Sequence, residues 1–175
     1  MKKLALHELN RVLPEEFKMT PKNKISLVAD NIRSGHNVGS LFRIADCFAL
    51  ESVILGGYSV SPPHPEIHKT AIGATDTVHW QKESDLYAYL LNEKQNNKII
   101  IGIEQTTKSI LLPEFHISKQ STYLLIFGNE VSGISESILT LLDYAIEIPQ
   151  YGTKHSLNVS VAAGIVVWHF INNMS

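Results

Sequence analysis

The chain has almost no cysteine. Cys47 is the only one in 175 residues, so no internal disulfide can form. It sits among Ala45, Phe48 and Ala49 and is expected as a small core residue. Long apolar runs are missing too: none approaches the ~20 residues that cross a bilayer. The N-terminal Met1-Lys2-Lys3-Leu4-Ala5-Leu6-His7-Glu8 is basic but lacks a long apolar stretch, unlike a signal peptide. The expected setting is the cytoplasm, with no membrane partner.

An excess of positive charge is absent as well. Fifteen Lys and Arg face seventeen Asp and Glu, a net charge of -2, so there is no basic coat for nucleic acid. The charge is uneven, however. Residues 1–24 carry six basic side chains (Lys2, Lys3, Arg11, Lys18, Lys22, Lys24) and three acidic ones (Glu8, Glu15, Glu16). That net +3 leaves -5 for the remainder. Residues 1–23 therefore read as a short basic arm or helix, able to touch phosphates or simply to sit in solvent. Residues 24–175 read as one domain, long enough to bury a sizeable core.

Several motifs are also lacking. No Gly-x-Gly-x-x-Gly follows a strand and no phosphate loop ends in Gly-Lys-Ser/Thr, which argues against dinucleotide and P-loop chemistry. His64-Pro65-Glu66-Ile67-His68 mimics a zinc-protease pair, but Glu does not follow the first His and Pro65 disturbs the required helix. No metal is expected. His169 falls within the last helix and reads as a partly buried histidine.

What is present is alternation. Strands are expected at Lys24–Ala29, Ser52–Gly57, Lys98–Ile103, Tyr123–Phe127 and Tyr144–Ile148. Helices are expected through Leu41–Ala49, over Asp85–Asn96 with Ser84 as its cap, over Ser135–Leu142 and over Ser156–Asn172. Ser61-Pro62-Pro63-His64-Pro65 is expected as a loop. Short, nearly continuous apolar strands between helices predict an α/β fold, a parallel sheet covered by helices on both faces.

Ligands bind such sheets beyond the carboxyl ends of the strands. Polar groups and glycines cluster there: Asn31–Asn37, Glu104–Thr107, Gly128-Asn129-Glu130 and Pro149–Ser156. At the last helix start, Ser156, Asn158 and Ser160 alternate with apolar residues. They cap that helix or turn toward a ligand.

Three segments together resemble the SpoU/TrmH family of knotted RNA ribose methyltransferases, part of the SPOUT superfamily. They are Asn37-x-Gly39-Ser40-x-x-Arg43, then Gly128-x-Glu130-x-x-Gly133, then Ile148-Pro149 leading to Ser156-Leu157-Asn158-Val159-Ser160. Lys69-Thr70-Ala71-Ile72-Gly73-Ala74 resembles the family's Lys-x-x-x-Gly-Ala segment. The match runs from about Lys24 to the C-terminus. Gln150, Val131 and Trp168-His169 depart from common family residues and bear on the subgroup. No separate N-terminal RNA-binding domain is evident, which leans toward transfer RNA over ribosomal RNA.

The resemblance implies a deep C-terminal trefoil knot and a homodimer with the last helix in its interface. It implies methyl transfer from S-adenosylmethionine to a ribose 2′-oxygen of RNA. That reaction needs the methyl in line with the oxygen at roughly 3–3.5 Å. By resemblance, Gly128, Ile148 and Leu157 hold the cofactor, with the loops at Glu104 and Asn129 nearby. Arg43 is the implied catalytic arginine. A guanidinium stays protonated, so it either stabilises alkoxide charge while gathering a phosphate, or positions a phosphate or water that takes the proton. Asn37 is implied to orient Arg43 or the ribose. Ser156 and Asn158 are implied to bind the ribose or the cofactor carboxylate, and Glu130 to fix its loop or the arginine. A catalytically silent RNA-binding protein of this fold is the rival reading.

Overall fold

The computed structural model describes residues 1–174. The basic N-terminal segment carries a 3-10 turn at Leu6–Leu9 and one short helix, α1, at Pro14–Met19, which buries Phe17. From there the chain alternates. β1 spans Asn23–Asp30, α2 Gly35–Cys47, β2 Leu50–Gly56, α3 Pro65–Ala71 and β3 Trp80–Glu83. They are followed by α4 Leu86–Gln95, β4 Ile99–Ile103, β5 Ile110–Leu111, β6 Tyr123–Phe127, α5 Glu136–Leu139, β7 Tyr144–Glu147 and α6 Val159–Asn173.

The seven strands form one sheet in the order β3-β2-β1-β6-β4-β7-β5, with every pair parallel. β6 is buried along its whole length, and β1 from Ile25 to Asp30, because helices cover both faces. Ile25, Leu27 and Ala29 of β1 face the core under α2, α3 and α6. Val28, between them, faces the second core under α4 and α5. The polar Ser26 of β1 is buried opposite Ser52 of β2, whose hydroxyl donates to it at 2.8 Å. Parallel pairing sends all seven strands out at one edge, where the loops of interest emerge.

The expected architecture of parallel sheet and two helical layers is what the chain forms. Local details differ. Asp85, not Ser84, caps α4: its carboxylate accepts the Ala88 N–H at 3.0 Å. The helix expected over Ser135–Leu142 is a single turn, α5, because the chain tightens there and Leu141 N–H bonds the Ile138 carbonyl. The last helix starts at Val159, not Ser156, since Asn158 is its cap. Cys47 is exposed rather than in the core. It follows Arg43 by one turn, outside the stripe of Val38, Leu41, Phe42 and Ala45 that α2 buries.

Pro65 does not end structure but opens α3 from its first turn, where its missing N–H costs nothing. α3 crosses α2 closely. A Cβ on Gly39 would lie 2.7 Å from the Ile67 carbonyl oxygen, so only glycine permits this crossing. His64 caps α3, its Nδ1 accepting the Glu66 N–H at 3.3 Å.

Candidate active site

Three loops after β4, β6 and β7, with the start of α6, enclose a cleft of ≈ 930 Å³. Its apolar wall includes Ile103, Phe127, Leu139, Ile148 and Leu157. Its charged groups are Glu104, Glu130, Glu136 and Glu147, and no Lys or Arg lines it. Such a lining suits a ligand with an apolar ring system and positive charge, and disfavours bare phosphates.

The loop after β6 is self-organised. Asn129 exchanges backbone hydrogen bonds with Gly133 at 2.9 Å each. Its side-chain oxygen accepts the N–H groups of Val131 and Ser132 at 3.0 and 3.2 Å. Its amide donates to the Asn31 carbonyl at 2.8 Å. The Asn129 side chain is thus spent on the turn. Gly128 is required by the same turn, since a Cβ there would overlap the Gly133 carbonyl carbon and the Ile134 nitrogen. Glu104 braces the loop from β4: one oxygen accepts Ile134 N–H at 3.1 Å, the other its neighbour Gln105 N–H at 3.0 Å. Gln105 then donates to the His155 carbonyl at 3.1 Å, tying the β4 and β7 loops together.

Glu130 leaves that loop and bonds the start of α2. Its carboxylate accepts the backbone N–H groups of Arg33 and Ser34 at 3.3 and 3.2 Å, and the Asn37 side-chain amide at 2.9 Å. Partial burial alone would raise its pKa; these hydrogen bonds outweigh it and hold the carboxyl below the usual range. It is a fixed anion and an orienting group, ill suited as a base. Asn37 is buried and turns its oxygen to Asn158, whose Nδ2 donates at 3.2 Å. Asn158 Oδ1 in turn accepts Ser160 N–H at 2.9 Å, capping α6.

Glu104, Gly128, Asn129, Glu130, Ile148, Ser156 and Leu157 all line the cleft. Asn37 and Asn158 do not line it, but bond into it through Glu130 and the start of α6. Arg43 stands apart: it is exposed on α2, and among the described residues its guanidinium makes no ion pair or hydrogen bond.

One residue escaped the sequence reading. Asp30, 2% exposed at the end of β1, accepts the Ser135 N–H at 2.7 Å, its hydroxyl at 3.1 Å and the Asn31 amide at 2.8 Å. It locks the exit of the β6 loop to β1. A carboxylate directly after the apolar run Leu27-Val28-Ala29 was the available signal.

Residues 24–168 match the SpoU rRNA Methylase family. The chain is similar to a tRNA (guanosine(18)-2′-O)-methyltransferase of Aquifex aeolicus, 30% identical over 169 residues, covering 96% of this chain and 78% of that protein. It is also similar to the 23S rRNA (guanosine-2′-O-)-methyltransferase RlmB of Neisseria meningitidis, 30% identical over 81% of this chain and 55% of that one. Among solved structures, an AdoMet-bound rRNA methyltransferase from Sinorhizobium meliloti superposes with a TM-score of 0.80 at 19% identity, covering 89% of this chain and 59% of that one. The chain spans little more than half the length of several curated relatives it matches. The match across most of the chain, with three motifs brought to one sheet edge, makes this protein a member of the SpoU rRNA methylase family.

Proposed function

We propose that this chain transfers a methyl group from S-adenosylmethionine to a ribose 2′-hydroxyl of RNA. The observation that carries this is the hydrogen-bond chain from Glu130 through Asn37 to Asn158, which joins the cleft to the helix bearing Arg43. The cleft fits the cofactor by its own chemistry. Ile148 and Leu157 offer an apolar slot, the loop backbone at Gly128 offers polar groups, and the acidic lining favours a sulfonium and an ammonium. When bound, the cofactor supplies an electrophilic methyl group.

The protein's residues do the rest. Arg43, without an internal partner among the described residues, stabilises negative charge on the ribose oxygen and gathers a neighbouring phosphate. Asn37 and Asn158 hold each other in register, so the start of α6 and the start of α2 stay together. Ser156 lines the cleft, where its hydroxyl would serve the ribose or the cofactor carboxylate. Glu130 fixes both loop and helix.

Transfer RNA is the favoured substrate class: the Aquifex relative acts on tRNA and is matched over 78% of its length, against 55% for the Neisseria rRNA enzyme. Residues 24–175 are proposed as the methyltransferase domain and 1–23 as a basic arm. Family membership, and the return of the chain after β7 to pack α6 against α2, support a deep C-terminal trefoil knot. A homodimer is supported by the outer face of α6, where Val161, Ile165 and Trp168 are exposed at helical spacing, Trp168 by 59%. The cytoplasm is the proposed compartment.

Calorimetric titration with S-adenosylmethionine in the presence of chelator tests the cofactor assignment. The expected result is saturable one-site binding and a raised melting temperature; no heat and no stabilisation would remove it.

A further inference from the structure

The loops that leave β1 and β2 hold an exposed cation–aromatic pair that the site above does not use. The Arg33 guanidinium carbon lies 5.2 Å from the centre of the Tyr58 ring. Tyr58 is 55% exposed and Arg33 is exposed as well. Among the described residues, no carboxylate lies within ion-pair distance of Arg33.

The main chain beneath the pair is stapled from both sides. Tyr58 N–H bonds Asn31 Oδ1 at 3.1 Å, and Ile32 N–H bonds the buried Ser59 hydroxyl at 2.8 Å. Val60 N–H bonds the Ile32 carbonyl at 3.1 Å, and Ser59 Oγ donates to the Ala29 carbonyl at 3.0 Å. Arg33 itself is tied by its backbone N–H to Glu130 at 3.3 Å, and Glu130 holds Asn37. Two large side chains are thus held at the active-site edge on a rigid base, yet left facing solvent. Rigid exposure of this kind serves recognition, because little freedom remains to be lost on binding.

The charge pattern points to the ligand. The chain is net -2, so RNA affinity has to come from a few placed cations. It contains only three arginines, Arg11, Arg33 and Arg43, and two of them flank the Asn37 segment. Arginine suits a phosphate, and a tyrosine face suits an unstacked base; both are the chemistry by which single-stranded or looped RNA is held.

We propose that Arg33 and Tyr58 form a docking platform for a nucleotide flanking the methylated ribose. Its base stacks on the face of the Tyr58 ring that Arg33 leaves open, and its phosphate pairs with the guanidinium. This rests on the RNA-methyltransferase reading and extends it to a residue pair outside the three motifs.

The test is equilibrium binding of unfractionated transfer RNA to the full chain and to Arg33→Ala, Tyr58→Ala and Tyr58→Phe, across a salt series. Each variant is also titrated with S-adenosylmethionine. Arg33→Ala keeps the backbone bond to Glu130, so only the side chain is removed. Tyr58→Ala is expected to weaken RNA binding about tenfold and Tyr58→Phe less than about twofold. Arg33→Ala is expected to weaken it about five- to tenfold and to flatten the salt slope by about 0.7 to 1. Cofactor affinity stays unchanged in all three. Variants within about twofold of the parent, where the parent binds RNA, overturn the platform alone. Equal loss of cofactor affinity marks a collapsed loop and overturns it too. A parent chain that binds no RNA overturns both the platform and the RNA reading beneath it.

Discussion

Asn158 donates from its side-chain nitrogen to the side-chain oxygen of Asn37 at 3.2 Å, linking residues 121 apart in the chain. The bond joins the first turn of α2 to the cap of α6, two helices on the same face of the sheet. Asn37 spends its other end on Glu130, and Asn158 its other end on Ser160. Neither amide can be replaced without leaving a partner unpaired.

Asn158→Ala should therefore cost more than a cap. Loss of the cap alone is worth about 1 kcal/mol, or roughly 2–4 °C in melting temperature for a chain of this size. Asn37 Oδ1 also loses its donor, so methyl transfer should fall further than stability does. Thermal melts paired with initial-rate assays separate the two effects.

Asn37→Asp should be worse than Asn37→Ala. It replaces the donor that sits 2.9 Å from Glu130 with a second carboxylate. Like charges at that distance repel, and one must take up a proton. Urea denaturation at neutral pH should rank Asp below Ala, and the ranking should shrink in acid.

Glu130 gives a pH signature. Its folded pKa lies below the usual value, so its contribution to stability is fully present above the ordinary glutamate pKa. That contribution is lost as pH falls through the depressed folded value. Denaturation midpoints of the parent and Glu130→Gln between pH 7 and pH 3 should therefore converge in acid. A constant difference between the two would remove Glu130 from this linkage.

Asp30→Ala should destabilise by about 1–3 kcal/mol for the buried donors it leaves unpaired, chiefly the Ser135 N–H. Cofactor affinity should drop with it, because the β6 loop loses its hold on β1. Chemical denaturation and calorimetry on the same preparation check both.

The sheet was legible because its inner strands carry short, nearly continuous apolar runs, which is how doubly covered parallel strands read; β6 falls at Tyr123–Phe127, as its apolar run predicts. The edge strand β3, Trp80-Gln81-Lys82-Glu83, was not legible, because an edge needs no apolar alternation. Nor was α3, whose prolines suggested only a loop although Pro65 is suited to a first helical turn. At the site, glycines, amides and a carboxylate marked the right loops. Their division of labour was not visible. Asn129 and Glu104, expected near the cofactor, line the cleft and also use their side chains to hold the β6 loop. The Asn129 amide bond to Asn31 and the Glu130 bonds to Arg33, Ser34 and Asn37 join residues 93 to 98 apart, which no local pattern carries.

Arg43 is exposed with no internal partner among the described residues, so Arg43→Ala should change folding stability by less than about 0.5 kcal/mol. Methyl transfer should fall about a hundred- to a thousandfold, equivalent to ~3–4 kcal/mol of barrier, with S-adenosylmethionine affinity retained. Arg43→Lys should rescue poorly, since an ammonium lacks the planar fork. Melting curves, calorimetry and single-turnover rates together decide this.

The central assignment is the atom that receives the methyl. RNA from cells lacking the gene, incubated with the protein and isotope-labelled S-adenosylmethionine, can be digested to nucleosides and resolved by mass spectrometry. The expected result is label on the ribose of a 2′-O-methylnucleoside, abolished by Arg43→Ala. Label confined to a base, or no label in RNA from a protein that binds the cofactor, would contradict it.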